Sequence, residues 1–438
     1  MTALVSTTTA TETWPGLHDV PSGPRATVAA SIARRIFDVA IKRLHVRVVI
    51  SHGTAAGDPV PGQPGNTDEP TIVLHRPDEF YRRVGSDGLI GFGEGYLTGA
   101  WDSPDLGHLL TTMASEITTI VPDWMQTMRR LYVARAPHFH RNTVHQTRDN
   151  ISHHYDLSND LFRTFLDPTM SYSSALFDTP HASRADHAVA AAPEHVDPAV
   201  FEEAQARKIE RLLDQAGVGE GSRVLEIGTG WGELAIRAAR RGATVHSVTL
   251  SSEQQELARE LVAEAGYADA VDIELLDYRL VEGTYDAVLS VEMIEAVGHE
   301  YWQTYFEKID SVLAPGGKVA IQAITMPHDR MLATKRTYTW INKYIFPGGF
   351  LPSVEVIDQI TRDHTRMSVT DRLSFGGHYA ETLRLWDTAF LQHRDRVREL
   401  GFDQTFERMW HFYLEYSRGG FASGYIDVNQ ITFTKDPA

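Results

Sequence analysis

The sequence predicts an α/β protein: a doubly wound sheet preceded by a smaller α+β domain. Three observations carry this. From Ala204 onward, strand-like and helix-like segments alternate, the pattern of a parallel sheet with helices on both faces. The apolar run 224–227 breaks into Gly228, Gly230 and Gly232 and resumes as the helix-forming residues 233–236. Such a strand–loop–helix lets a ligand reach bare backbone at the carboxyl end of a strand. Finally, 438 residues exceed one ordinary core, so two domains are expected.

Taken in order, residues 1–22 read as disordered, and their Thr-rich start lacks the basic and apolar regions of a signal peptide. In 25–44, Val28, Ile32, Ile36, Val39 and Leu44 recur near helical spacing, with Arg34, Arg35, Lys42 and Arg43 among them. Residues 46–50 and 71–75 are β-rich, and the Pro/Gly stretch 53–70 between them reads as a long hairpin connection. Segments 78–83 and 104–133 read as helical, with glycine-rich 88–99 between them. Together, 23–133 form an amino-terminal α+β domain suited to lipid or membrane association.

Residues 134–150 read as a linker. His138, His140 and His145 fall in it, and His153 and His154 just beyond. A metal site needs partners on fixed elements, so these read as solvated or capping histidines and no metal is expected. Residues 151–438 make the second domain, in which Ala/His-rich 179–198 reads as a mobile loop. Strands are expected at 223–227, 244–249, 271–275, 285–291 and 318–325, and helices at 206–216, 384–400 and 402–416. The aromatic-rich segment 326–352 interrupts the alternation and suits a cap.

The composition, 42% hydrophobic and 23% charged, is globular. A net charge of −17 opposes non-specific nucleic-acid binding, although a local basic patch could still meet a membrane. Zero cysteines exclude disulfides, thiolate metal sites and a cysteine nucleophile. No stretch approaches the apolar length of a membrane span, so a cytoplasmic protein is expected.

The glycine spacing selects among nucleotide-like ligands. A dinucleotide fingerprint needs its third glycine where this chain has Glu233. The place for a ribose-binding carboxylate, about 20 residues on, holds Thr249 and Leu250 instead. The pattern Glu226-x-Gly228-x-Gly230-x-Gly232 is the one S-adenosylmethionine-dependent methyltransferases use. Gln254 is a candidate for the ribose. Asp277 could accept from the adenine amine and Tyr278 offer it a face; a capping Asp and a core Tyr is the alternative.

Several runs now coincide: HYDLSNDLF at 154–162, LDPTMSYSSA at 166–175, the glycine loop, EMIEAVG at 292–298, YIFPGG at 344–349 and HYAETL at 378–383. In this order they closely resemble the cyclopropane-fatty-acyl-phospholipid synthase family, which includes mycolic acid cyclopropane synthases and actinobacterial fatty-acid C-methyltransferases. The run GLIGFGE at 88–94 resembles the amino-terminal domain of the phospholipid-acting members. The resemblance implies a class I (Rossmann-like) methyltransferase. It assigns S-adenosyl-L-methionine to Tyr172, Ser173, Gly228, Gly230, Thr249, Leu250, Gln254 and Tyr278. It places Glu295 and Tyr379 beside a bound bicarbonate that acts as base. Ser174 stands where most members have Cys, and Gln322 where the mycolic enzymes have His; both belong to that bicarbonate pocket. A homodimer is implied by resemblance only.

The implied chemistry constrains the rest. An alkene is a poor nucleophile, and the cation left after methyl transfer must be kept dry and faced with aromatic rings. Trp340, Tyr344, Phe346, Phe350, Tyr379, Trp386 and Phe421 are candidates for that tunnel. Loss of a proton from the new methyl closes a cyclopropane, whereas a prior hydride shift gives a 10-methylene branch. The second outcome is the expected one, followed by a separate reductase, because the chain has no flavin or nicotinamide motif. The substrate is a membrane phospholipid with a cis-unsaturated acyl chain, reached from the inner face of the plasma membrane.

Overall fold

The computed structural model describes residues 14–51, 69–116, 158–335 and 337–437. The loop 53–68, the helical reading of 117–133, the linker with its histidines and the start of the 154–162 run lie outside the described residues. The chain forms two compact units: Met1–Ala134 with Phe402–Tyr416, and Arg135–Gly401 with Ser417–Ala438. A purely linear boundary therefore misassigns 402–416, which belong to the first unit.

In the first unit, the helix Gly23–Leu44 buries Ala26, Ala33, Phe37, Ile41 and Leu44 and closes on His45 in a left-handed conformation. Strands β1 (Arg47–Ile50) and β2 (Thr71–Leu74) pair in parallel, Arg47 opposite Thr71, and β3 (Trp101–Asp102) adds antiparallel to β2. The expected hairpin is thus wrong: a hairpin joins antiparallel strands, and these two are parallel. The glycine-rich segment 88–99 is mostly the helix Leu89–Leu97. Its glycines weaken the helix yet let backbones meet. A Cβ on Gly91 would sit 2.0 Å from the Arg83 carbonyl oxygen. Phe37, Phe80, Tyr81 and Phe92 pack edge-to-face, Trp101 lies tilted against Phe92 at 4.4 Å, and Phe412 meets Trp101 edge-on. Buried Arg83 pairs with Glu79 at 2.8 Å and donates to the Leu17 carbonyl. Order therefore begins by Trp14, earlier than the disordered 1–22 expected.

In the second unit, nine strands run in the order β4-β5-β11-β12-β10-β9-β6-β7-β8. These are β4 (His181–Ser183), β5 (Ala188–Ala190), β6 (Arg223–Ile227), β7 (Thr244–Thr249), β8 (Val271–Leu275), β9 (Tyr285–Val291), β10 (Leu313–Thr325), β11 (Met367–Ser374) and β12 (Asp427–Lys435). The block β10-β9-β6-β7-β8 is parallel, as expected. β12 is antiparallel to both β10 and β11, so the sheet is mixed. Ala/His-rich 179–198 is not simply a loop, because β4 and β5 extend the sheet edge from it. Alternate residues of each central strand feed opposite cores. Leu225, Val288 and Ile321 pack with Trp302, Tyr305 and Phe306; Val224, Ala287 and Ala320 pack with Ile209, Leu212 and Leu234. That period of two, with helices on both faces, is the doubly wound architecture. β6 has neighbours on both sides that follow it in sequence, so the strand order reverses there, where open α/β sheets bind ligands.

Candidate active site at the carboxyl ends of the central strands

The loop after β6 forms a backbone cradle. Gly228, Gly230 and Gly232 have φ of +96°, +52° and +95°, a region that L side chains enter at a cost. A Cβ on Gly228 would lie 2.5 Å from Met293 Cγ, whereas one on Gly230 would meet nothing within 4 Å. The middle of the loop thus faces open space, as a bound nucleoside requires. Glu226 does not reach into that space. It is buried and accepts from the Ser247 hydroxyl, which also meets the Thr229 hydroxyl at 2.7 Å, bracing the loop from below.

Burial pushes the Glu226 carboxyl up to about 8, against the Ser247 hydrogen bond that lowers it. The folded protein therefore holds a proton that the unfolded chain releases near 4.5. The associated stability is full below about 4.5 and is lost as pH rises through about 8. Glu226→Gln keeps an acceptor for Ser247 and removes the titration. Melting temperature followed against pH should decline less steeply for the variant across that window. Identical slopes would rule Glu226 out as the cause.

Thr249 donates to the Gln254 amide oxygen at 3.2 Å and accepts from the Ser251 amide, so the ribose candidates are held together at the end of β7. Half-buried Leu250 lies between them. The adenine candidates are otherwise engaged. Asp277 accepts from Arg279 Nε at 2.8 Å and from the Arg279 amide, capping a short 3₁₀ turn. Tyr278 packs edge-on to Tyr305 within the core, and Arg279 covers its face. The capping and core alternative describes these two side chains.

The cluster of Ser174, Glu295, Gln322 and Tyr379 differs from expectation in one decisive respect. Tyr379 donates to Glu292 Oε2 at 2.6 Å, not to Glu295. Gln322 Nε2 donates to Glu292 Oε1 at 2.8 Å, and the Ser174 amide donates to the same oxygen at 3.0 Å. Three groups expected to surround a bicarbonate thus converge on a carboxylate of the chain itself. Glu292 sits just past β9 with φ +52°, a strained conformation for a non-glycine residue that aims its side chain at these donors. Its amide donates to the Gln322 carbonyl at 2.7 Å. The Ser174 hydroxyl turns away to the Ala175 carbonyl.

Glu295 takes a different role. One oxygen accepts from the Ile324 amide, and the other is buried without a hydrogen-bond partner. Burial, and then the charge of Glu292, push its carboxyl up to about 8. Burial also raises Glu292, but Tyr379, Gln322, Ser174 and the charge of Lys208 all pull it back. Burial acts on both carboxyls, but only Glu292 is met by three donors and a buried cation, which favour its charged form.

Sequence reasoning also missed the support on the helix Phe201–Gln215. Lys208 is fully buried and donates to the Ser173 hydroxyl at 2.6 Å, and Gln205 donates to the Ser173 carbonyl at 3.0 Å. Burial lowers the Lys208 ammonium to about 8, against the charges of Glu292, Asp167 and Glu233. A signal for both existed: Gln205 and Lys208 stand in the buried stripe with Ala204, Ile209 and Leu212, where apolar residues belong.

Of the tunnel candidates, Tyr379, Trp386 and Phe421 come together. Tyr379 stacks on Phe421 at 4.4 Å, and Trp386 meets Tyr379 edge-on and stacks on Tyr172 at 5.1 Å. Trp340 pairs with Tyr344 at 5.3 Å. Phe346 is half-buried in the turn after them. Phe350 stacks on Trp302 and belongs to the sheet's core.

The family model for mycolic acid cyclopropane synthetase matches residues 142–431. The tuberculostearic acid methyltransferase UfaA1 of Mycobacterium tuberculosis is 51% identical over 97% of this chain and 95% of its own length. The cyclopropane-fatty-acyl-phospholipid synthase of Escherichia coli K12 is 31% identical over 84% of this chain and 89% of its own. The solved structure of mycolic acid cyclopropane synthase CmaA1 complexed with SAH and CTAB superposes with a TM-score of 0.57, at 30% identity, over 68% of this chain and 99% of that one. The chain accordingly belongs to the mycolic acid cyclopropane synthetase family and is an S-adenosylmethionine-dependent methyltransferase.

Proposed function

We propose that the enzyme methylates the double bond of a cis-unsaturated, oleoyl-type acyl chain of a membrane phospholipid and releases a 10-methylene chain. The supporting observation is the Glu292 carboxylate, fixed by Tyr379, Gln322 and Ser174 where the reaction needs a base. When bound, S-adenosylmethionine supplies an electrophilic methyl that bonds to one alkene carbon and leaves the other cationic. The wall of Tyr172, Trp386, Tyr379 and Phe421 keeps water from that cation and offers it π-faces. A 1,2-hydride shift moves the charge to the methyl-bearing carbon. Glu292 then takes a proton from the new methyl, the electron pair forms the exocyclic double bond, and Glu292 is left protonated.

Bicarbonate does not fit this pocket: the donors that would hold it are satisfied by Glu292. The likeness to a tuberculostearic acid methyltransferase favours the methylene product, whose reduction to a methyl branch falls to a separate reductase. The reading carries a peripheral position at the inner face of the plasma membrane, and a homodimer.

Gas chromatography–mass spectrometry of lipids from an oleate-fed host expressing the chain tests it. A methylene-branched C19 chain is expected. A cyclopropane of the same mass would replace this reading with ring closure, and unchanged oleate would end both.

A further inference from the structure

The helix Gly23–Leu44 has two apolar faces, of which the fold uses one. Ala26, Ala33, Phe37, Ile41 and Leu44 pack inward. Val28, Ile32 and Val39 face solvent, with 61%, 52% and 61% of their surfaces exposed. Their spacings of four and seven residues place them on one stripe. Arg35 and Lys42 follow Ile32 and Val39 by three residues and line one edge; Arg25, three before Val28, lies toward the other. All three are exposed.

The helix has five basic residues and one acidic residue, in a chain of net charge −17. Asp38, the acid, acts on Tyr81, whose phenol is pushed up by burial and then by Asp38's charge. Arg34 lies over the same ring at 5.5 Å. Asp38 is itself exposed and lies three residues after Arg35 and four before Lys42, so Arg25, Arg35 and Lys42 outnumber the one acid beside the outward stripe.

We propose that this stripe docks the first unit on an anionic lipid bilayer, with Val28, Ile32 and Val39 entering the headgroup boundary and Arg25, Arg35 and Lys42 meeting phosphates. An exposed apolar ridge edged by cations is the pattern of an interfacial helix. The charge complementarity selects an anionic membrane over a neutral one or an apolar protein partner. The proposal rests on the bilayer substrate proposed above and gives it a surface. The same stripe explains how a strongly acidic protein could approach such a membrane: the local sign of charge is inverted.

Cosedimentation of the full chain with vesicles tests it, without S-adenosylmethionine so that binding is read apart from catalysis. Vesicles of phosphatidylcholine with phosphatidylglycerol should bind the protein, less so as salt rises, and pure phosphatidylcholine vesicles should bind it weakly. The pair Arg35→Glu and Lys42→Glu should lower affinity more than tenfold, since each cation is worth about fivefold at such a surface. The pair Val28→Asp and Val39→Asp should also release the protein. These side chains are exposed, so melting temperature and methylation of detergent-dispersed lipid should be retained. Wild-type binding that ignores the anionic lipid, or both pairs binding like wild type, would overturn the surface while leaving the methyl-transfer reading intact. Loss of methylation in detergent with vesicle binding intact would do the reverse.

Discussion

Glu292→Gln should lower kcat by about 10²–10⁴-fold, the usual contribution of a positioned base, while S-adenosylmethionine binding is retained. The amide fills the same volume, so the pocket should not collapse. Its nitrogen, however, would face donors: Gln322 Nε2 and the Ser174 amide both point at Oε1, and the Tyr379 hydroxyl at Oε2. Only a carboxylate accepts from all three. The amide must leave at least one donor unmet, and it has no lone pair basic enough to take the methyl proton. Single-turnover kinetics alongside calorimetry separate the two effects. A variant with near wild-type turnover would remove Glu292 from the mechanism. Tyr379→Phe should cost less, because it deletes one of three anchors and leaves the base in place.

Gly230→Ala should abolish detectable cofactor binding at concentrations that saturate the wild type, with a loss of fold stability limited to the left-handed backbone cost. The residue sits at φ +52°, where alanine costs about 1–2 kcal/mol, yet its Cβ would touch no protein atom within 4 Å. The new methyl would project into the space where a nucleoside must approach bare backbone. Gly228→Ala provides the contrast. There the Cβ meets Met293 Cγ at 2.5 Å, so stability and binding should fall together. Calorimetry with S-adenosylhomocysteine and thermal melting read both variants. Normal binding by Gly230→Ala would mean that the ligand does not lie over the loop.

The parts legible in the sequence were those where one physical rule dominates. The strands β6 to β10 announce themselves because a sheet covered on both faces needs near-continuous apolar runs. The glycine loop follows because three positive φ values in five residues are what glycine adopts without cost. β12 was illegible for the opposite reason. Asn429, Gln430 and Thr432 are buried in it, and Gln430 serves the site by donating to Gln322 at 3.1 Å. Functional polarity masked the strand. β1 and β2 look alike whether they pair as a hairpin or through a crossover, so periodicity could not separate the two. The glycines of 88–99 gave no element at all, because propensity says nothing of a helix that needs backbone contact with Arg83.

At the site, the motif around 292–298 drew attention to Glu295, and the donors of the pocket converge instead on the acid three residues back. Nothing local distinguishes the two acids. What separates them is a positive φ at Glu292 and donors from Ser174, Gln322 and Tyr379, which lie 118, 30 and 87 residues away. The departure at Gln322, read first as a change in a bicarbonate pocket, becomes intelligible beside a built-in carboxylate, whereas Ser174 meets Glu292 only through its backbone amide. Gln322 bridges between Glu292 and Gln430 as donor and acceptor at once, a pairing that a neutral histidine ring could also make.

Bicarbonate dependence is the most direct test of this account. Initial rates of methyl transfer should be measured in degassed, bicarbonate-depleted buffer and again after bicarbonate is restored. If Glu292 is the base, the wild-type rate is the same in both. A rate that collapses on depletion and returns with added bicarbonate would show that a bound ion, not Glu292, removes the proton.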